Sequence, residues 1–246
     1  MATNIQELRK IQYAEKRMQL TAEREPYFDW QERLKEKIPP KAMNALETGF
    51  AKAFYVIFDK GVGIIDKTYN KKELQASFGQ KTFEELKKEA GTAHMLNTLA
   101  TTIDGVGLGL FGIGVPDIII WVATLLRGVY ETAVRYGYDY DTDDEKMFIL
   151  KMIENAMTSG EQWAVNNEEL DEYICALEHK YPTRDEMKIQ IDKTARAFAT
   201  QMLISKFVQT LPLVGVLGGA ANPVYYQKVM KYVQLKYHKR YLLDVR

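Results

Sequence analysis

The residues with the most chemical character in this chain fall into several groups, none of which completes a known reactive site. Gly107, Gly109 and Gly112 spell Gly-x-Gly-x-x-Gly. That pattern cradles a pyrophosphate when a strand leads into it and a helix N-terminus follows. Here a capped helical stretch leads in, no β-α-β pattern surrounds it, and no Gly-Lys-Ser/Thr comes after, so nucleotide binding is not expected. Asp139, Asp141, Asp143 and Asp144 open like a calcium loop. Its sixth place, which needs glycine, holds Asp144, and its twelfth, which needs glutamate, holds Leu150. Helix capping by Thr142, with acids in the first turn, accounts for the same residues, and no metal is expected. His94, His179 and His238 lie far apart without ligand spacing, and none neighbours Cys175. No catalytic residue and no cofactor is assigned. Tyr225, Tyr226, Tyr232, Tyr237 and Tyr241 interleave with Lys228, Lys231, Lys236, Lys239 and Arg240, a mixture that can stack and neutralise single-stranded nucleic acid. Their helical spacing favours an amphipathic terminal helix with half-buried tyrosines and solvated lysines, and nucleic acid is not expected.

These groups must be carried by helices. Met43, Leu46, Phe50, Phe54, Ile57 and Phe58 recur at three- and four-residue steps, the spacing of one helix face. Thr82 with Glu85, Thr142 with Glu145, and Thr183 with Glu186 each form a Ser/Thr-x-x-Glu box, in which hydroxyl and carboxylate satisfy free N–H groups at a helix start. Pro26, Pro39 and Pro40 cut the N-terminal region into pieces. The reading is all-α, with helices near 3–25, 28–37, 41–59, 82–103, 116–136, 143–158, 167–179, 184–208 and 223–243. Residues 1–40 form a charged helical arm, docked or mobile, without which the rest is expected to fold. Residues 41–246 form a single multi-helix domain.

Two apolar elbows interrupt the helices. GVGLGLFGIGVPDIIIWVATLLRG spans residues 105–128, and FVQTLPLVGVLGGAANPVYYQ spans 207–227 without a charge. Each is Gly-rich and runs into a proline, Pro116 or Pro223, that suits the first turn of the helix after it. The first is long enough to cross a bilayer, but its glycines, Pro116 and Asp117 oppose that, since a central charge costs about 2.5–3.5 kcal/mol on insertion scales. Burial in a helical core is expected, with Gly105 and Gly109 forming a small-x-x-x-small step that brings backbones together. Helices 82–103 and 116–136 would then meet the 207–223 segment. Insertion into a bilayer or another protein is the other reading, since large apolar patches mark contacts.

Charge is balanced overall, Lys+Arg and Asp+Glu both totalling 33, but unevenly spread. Between Asp139 and Glu186 fourteen acids face four bases, whereas from Lys193 to Leu243 there are eight bases and no acid. Such polarity gives two solvated faces or two that meet each other, and a basic end can also read an anionic lipid surface. The single Cys175 excludes an internal disulfide and fits a reducing compartment. MATNIQELRK lacks the apolar core of a secretory signal. The chain is expected in the cytosol or on the inner face of the cell membrane.

GLGLFGIGVPDIIIWVATLLRGVYETAVRYGYD and LPLVGVLGGAANPVYYQKVMKYVQLKYHKRYL, in that order, resemble the EcsC family of bacterial proteins. That family has a Gly-rich approach to Asp-Ile-Pro, an apolar helix with an arginine, then Tyr-Gly-Tyr/Phe-Asp. Near its end comes a Pro-x-x-Gly, Asn-containing segment and a helix closing in Arg-Phe/Tyr-Leu. Asp117, Ile118, Arg127, Tyr136, Gly137, Tyr138 and Asp139 match the first block; Pro212, Gly215, Asn222, Arg240, Tyr241 and Leu242 match the second. Pro116 departs from the pattern by preceding the aspartate. The resemblance covers roughly residues 82–243 and leaves the arm outside. It implies a cytoplasmic or membrane-associated helical protein, linked through the family's name to a transporter gene cluster in secretion, and brings no established reaction.

The expectation is therefore a non-enzymatic, all-α binding or adaptor protein at the cytoplasmic face of a bacterial membrane, accessory to a transport or secretion system. Its partner would be an anionic membrane surface or a membrane protein, met through Lys228, Lys231, Lys236 and Lys239. Gly105, Gly107, Gly109, Gly112, Asp117, Arg127, Tyr136, Gly137, Asn222 and Arg240 would be motif residues and structural anchors. Asp117 and Arg127 stand about three turns apart on one helix and cannot pair directly. Arg240, Asp104 and Asp139 are the partners expected for them. One alternative is a hydrolase or transferase acting on lipid or peptide, which needs a cleft joining Asp117, a histidine and a hydroxyl or thiol. Another is a carrier whose elbows line one closed cavity around an apolar ligand.

Overall fold

A computed structural model describes residues 2–24, 39–59, 115–176, 181–209 and 221–244. Among them are seven α-helices and no strand: α1 (Ala2–Arg24), α2 (Pro40–Asp59), α3 (Val115–Arg135), α4 (Asp143–Met157), α5 (Glu161–Ala176), α6 (Arg184–Gln209) and α7 (Ala221–Asp244). The helices expected at 28–37 and 82–103 lie outside the described residues. So do Gly105, Gly107, Gly109 and Gly112 and the glycine segment of the second elbow.

The periodic apolar positions are the ones buried. On α2, Leu46, Phe50, Ala53, Phe54 and Ile57 form the inner stripe, which packs along α6 and α3. Phe50, Trp121 and Phe198 meet there, Phe50 stacked on Phe198 at 5.2 Å and Trp121 edge-on to Phe198 at 4.8 Å. Such aromatic pairs add about 0.5–1.5 kcal/mol beyond their area. α4 is central, packing on α5, α6 and α7, with Phe148, Ile149, Leu150, Met152 and Ile153 fully buried. α7 is also interior, set against α4, α3 and α1. The tyrosines expected to half-bury are inside: Tyr225, Tyr232 and Tyr237 are buried, and only Tyr226 and Tyr241 keep substantial exposure. Tyr232 shows how such a hydroxyl is accommodated. It accepts from the Asn155 amide and donates to Asn167, each at 2.8 Å. No helix among the described residues is long and apolar enough to cross a membrane.

The helix ends follow local chemistry. At α6 the box is complete: Thr183 N–H donates to the Glu186 carboxylate at 2.8 Å, and Glu186 N–H donates back to the Thr183 hydroxyl at 3.3 Å. At α4 it is half built. Glu145 N–H donates to Thr142 at 3.4 Å, but the Glu145 carboxylate turns inward to other partners. The aspartates there serve the same helix start, Asp139 accepting from Asp141 N–H at 3.1 Å and Asp141 pairing with Lys146 at 3.2 Å.

α3 ends in a stop of specific geometry. Tyr138 N–H donates to the Ala133 carbonyl and Gly137 N–H to that of Val134, both at 3.0 Å. This double bond pattern needs a left-handed residue between them, and Gly137 supplies it at φ 87°. An added Cβ there meets nothing, so Gly137→Ala pays only the left-handed cost of about 1–2 kcal/mol. Thermal unfolding of that variant should show a loss of this size and no more.

Candidate functional site

The two motif blocks, about a hundred residues apart in the chain, meet where the α3 stop faces the end of α7. Tyr136 and Tyr138 straddle Tyr237, with ring centroids 6.3 and 5.7 Å away. Tyr136 also stacks on His238 at 6.1 Å. The Arg240 guanidinium lies 3.7 Å above the Tyr138 ring and donates to the Glu145 carboxylate at 2.6 Å. Tyr237 donates to the other Glu145 oxygen at 2.6 Å. Glu145 is thus a buried carboxylate held between a cation and a phenol. Burial pushes its pKa up, and the Arg240 charge and the two hydrogen bonds oppose that rise. Among the described residues the acid that Arg240 hydrogen-bonds is Glu145. Asp139 is exposed and engaged in its own turn. Glu131, one turn farther along α3, lies within the field of buried Arg127. Asp117 stands in the first turn of α3 and Asn222 in that of α7; their side chains, and all of Asp104, lie outside the described residues.

One turn back, α7 carries a second ionic cluster. Lys236 has no exposed surface and donates to Glu15 of α1 and Asp171 of α5, each at 2.6 Å. Lys239 bonds the same two carboxylates, at 2.8 Å to Glu15 and 2.7 Å to Asp171. Burial drives the Lys236 pKa down against the pull of the two acids. At Lys239 burial acts in the same sense, but the hydrogen bonds and charges of Asp171 and Glu15 outweigh it and raise the pKa. The expectation that Lys236 and Lys239 meet an anionic surface is therefore wrong. Both are spent inside the fold, because taking two ammonium groups out of water requires matched carboxylates. The acidic middle and basic end of the chain are, at this point, two faces that meet.

α1 is docked by the same cluster. Leu8 and Ile11 pack with Leu242, Glu15 holds Lys236 and Lys239, and Gly160 N–H donates to the Ala22 carbonyl at 2.9 Å. α1 therefore runs antiparallel to α7. A close approach also joins α3 to α7 at Gly128, where a Cβ would strike the Tyr226 hydroxyl. Sequence spacing points to Gly105 and Gly109 for such a role, which lie outside the described residues, and gives no such signal at Gly128.

Other bases of α1 and α7 line a cleft elsewhere. Arg17 and Lys231 are exposed and Lys228 is half-buried; all three line a cleft of about 500 Å³ between α1 and α7. Met18, Ala22, Ala156 and Trp163 supply an apolar lining, and Val224, 62% exposed, stands at its edge. None of the described residues lining it is acidic. Arg17 gave no signal in the sequence, because its neighbourhood on α1 is charged throughout. Cys175 is exposed late in α5 and does not line this cleft; His94 and His179 lie outside the described residues. Among the described residues no group of His, Cys, Asp and Glu is placed to hold a metal ion.

The EcsC protein family model matches residues 2–242. The match starts within α1, so it reaches well before the motif blocks at 82–243. No curated protein and no solved structure matches the chain.

Proposed function

The chain belongs to the EcsC protein family, and from that footing we propose that it is a non-catalytic binding protein that attaches to an anionic membrane surface through the α1–α7 face. The observation that carries this is the grouping of Arg17, Lys228 and Lys231 around an apolar-lined cleft with no acid among its described residues. Lys236 and Lys239 sit beneath that face and hold α1 in place, so the outer bases are presented on a fixed frame. Each base near an anionic surface contributes about 1 kcal/mol, screened over roughly 8 Å at physiological salt. Three bases give on the order of a hundredfold in partitioning, enough for reversible attachment.

Co-sedimentation with phosphatidylglycerol vesicles and with phosphatidylcholine vesicles tests this. Binding should appear on the anionic vesicles, fall steeply as salt is added, and be absent on the zwitterionic ones. Binding indifferent to salt would assign attachment to apolar insertion instead. No binding to either vesicle would overturn the reading.

A further inference from the structure

The α1–α7 cleft has the dimensions and lining of a site for one molecule. Its volume of about 500 Å³ falls within the roughly 300–1,000 Å³ of small-ligand sites. Its lining has a cationic and an apolar part. Because α1 and α7 run antiparallel, Arg17 comes toward Lys231, while Thr21 and Ala22 come toward Lys228 and Val224. Arg17, Lys228 and Lys231 supply the cationic part of the lining, and Met18, Ala22 and Trp163 the apolar part. Inorganic anions would use only the first part and apolar ligands only the second. An anionic amphiphile uses both.

We infer that the cleft binds a single anionic phospholipid, its phosphate against Arg17, Lys228 and Lys231 and its first acyl methylenes over Met18, Ala22 and Trp163. A phosphate suits bases that share one cleft because its oxygens accept several charge-assisted hydrogen bonds at once. The inference rests on the membrane-surface reading in that it uses the same bases, and it adds a stoichiometric pocket to what would otherwise be a diffuse field.

The test uses the full chain and soluble dihexanoyl phosphatidic acid below its micelle concentration, followed by calorimetry and by tryptophan emission. Saturable binding of one lipid per chain is expected, with an emission change that disappears in Trp163→Phe. Dihexanoyl phosphatidylcholine and inorganic phosphate should each bind at least about tenfold more weakly. Ala14→Phe, which narrows the cleft from a half-buried position on α1, and Thr21→Phe, which does so from an exposed one, should each weaken the short-chain lipid by about tenfold or more. Both should retain salt-dependent sedimentation with anionic vesicles, which the bases carry. Inorganic phosphate binding as tightly as the lipid would overturn the inference, as would unaltered lipid affinity in a folded Thr21→Phe protein. Absence of saturable lipid binding, with vesicle binding retained, would overturn the pocket and leave the membrane reading standing. Loss of vesicle binding as well would remove both.

Discussion

Replacing Glu15 by leucine should lower the stability of the fold by about 3–5 kcal/mol, the cost of breaking a buried ion pair from one side. Lys236 would remain fully buried under α1 with two ammonium groups sharing the single carboxylate of Asp171. Leucine keeps the packing of α1, so the loss is electrostatic. Replacing Lys236 by leucine as well should recover most of it, because Lys239 and Asp171 then stand as a matched pair. Denaturant unfolding of the two variants checks this, and a double variant as unstable as the single one would refute the charge-balance account. Removing residues 1–40 is a different experiment, since it takes away counter-charge and cover together. Water then reaches Lys236, and a chain beginning at Lys41 is still expected to show helical circular dichroism.

Arg240→Ala should be comparably damaging, at about 3–5 kcal/mol near neutral pH. It strands Glu145, whose side chain is 2% exposed, with only the Tyr237 hydroxyl as partner, and removes the cation from the Tyr138 face. Arg240→Lys keeps the charge but not the planar group that both stacks and donates to Glu145, so an intermediate loss is expected. The acid limb provides a second readout. Burial already raises the Glu145 pKa, and without Arg240 it rises further. A carboxyl whose folded-state pKa exceeds its unfolded value contributes stability that is full below the ordinary glutamate value of about 4.3 and is lost as pH rises through the folded-state value. The deficit of Arg240→Ala should therefore shrink toward pH 4 and grow toward pH 7. Glu145→Gln in the same background should abolish that pH dependence.

The two predictions concern residues whose types were plain in the sequence and whose roles were not. Among the described residues α2 and α6 begin, α3 ends, and α4 both begins and ends within about two residues of where periodicity and caps put them, because those signals are local. α5 starts at Glu161 and not near residue 167, since its opening residues lack a periodic apolar stripe and follow the left-handed Gly160. Burial on α7 is set at long range. Lys228, Lys231, Lys236 and Lys239 look alike in the chain, yet Lys236 is enclosed by Glu15, 221 residues away, and Asp171, 65 away. Glu145 reads as one half of a capping box, and only its meeting with Tyr237, 92 residues on, redirects it. The Tyr-Gly-Tyr block was legible as a motif. Its purpose, a helix stop that sets two rings around Tyr237 and one under Arg240, required the fold.

The account turns on which bases face outward, and charge reversal at matched sites tests that most directly. Arg17, Lys228 and Lys231 changed together to glutamate should reduce partitioning onto phosphatidylglycerol vesicles by about a hundredfold or more at physiological salt. Arg184, Lys188 and Lys193, all exposed on α6, changed in the same way carry an identical shift in net charge. With helical circular dichroism confirming both folds, the α6 variant should stay within about threefold of the unaltered chain. Equal losses in the two variants, or undiminished binding in the first, would contradict the assignment of the α1–α7 face.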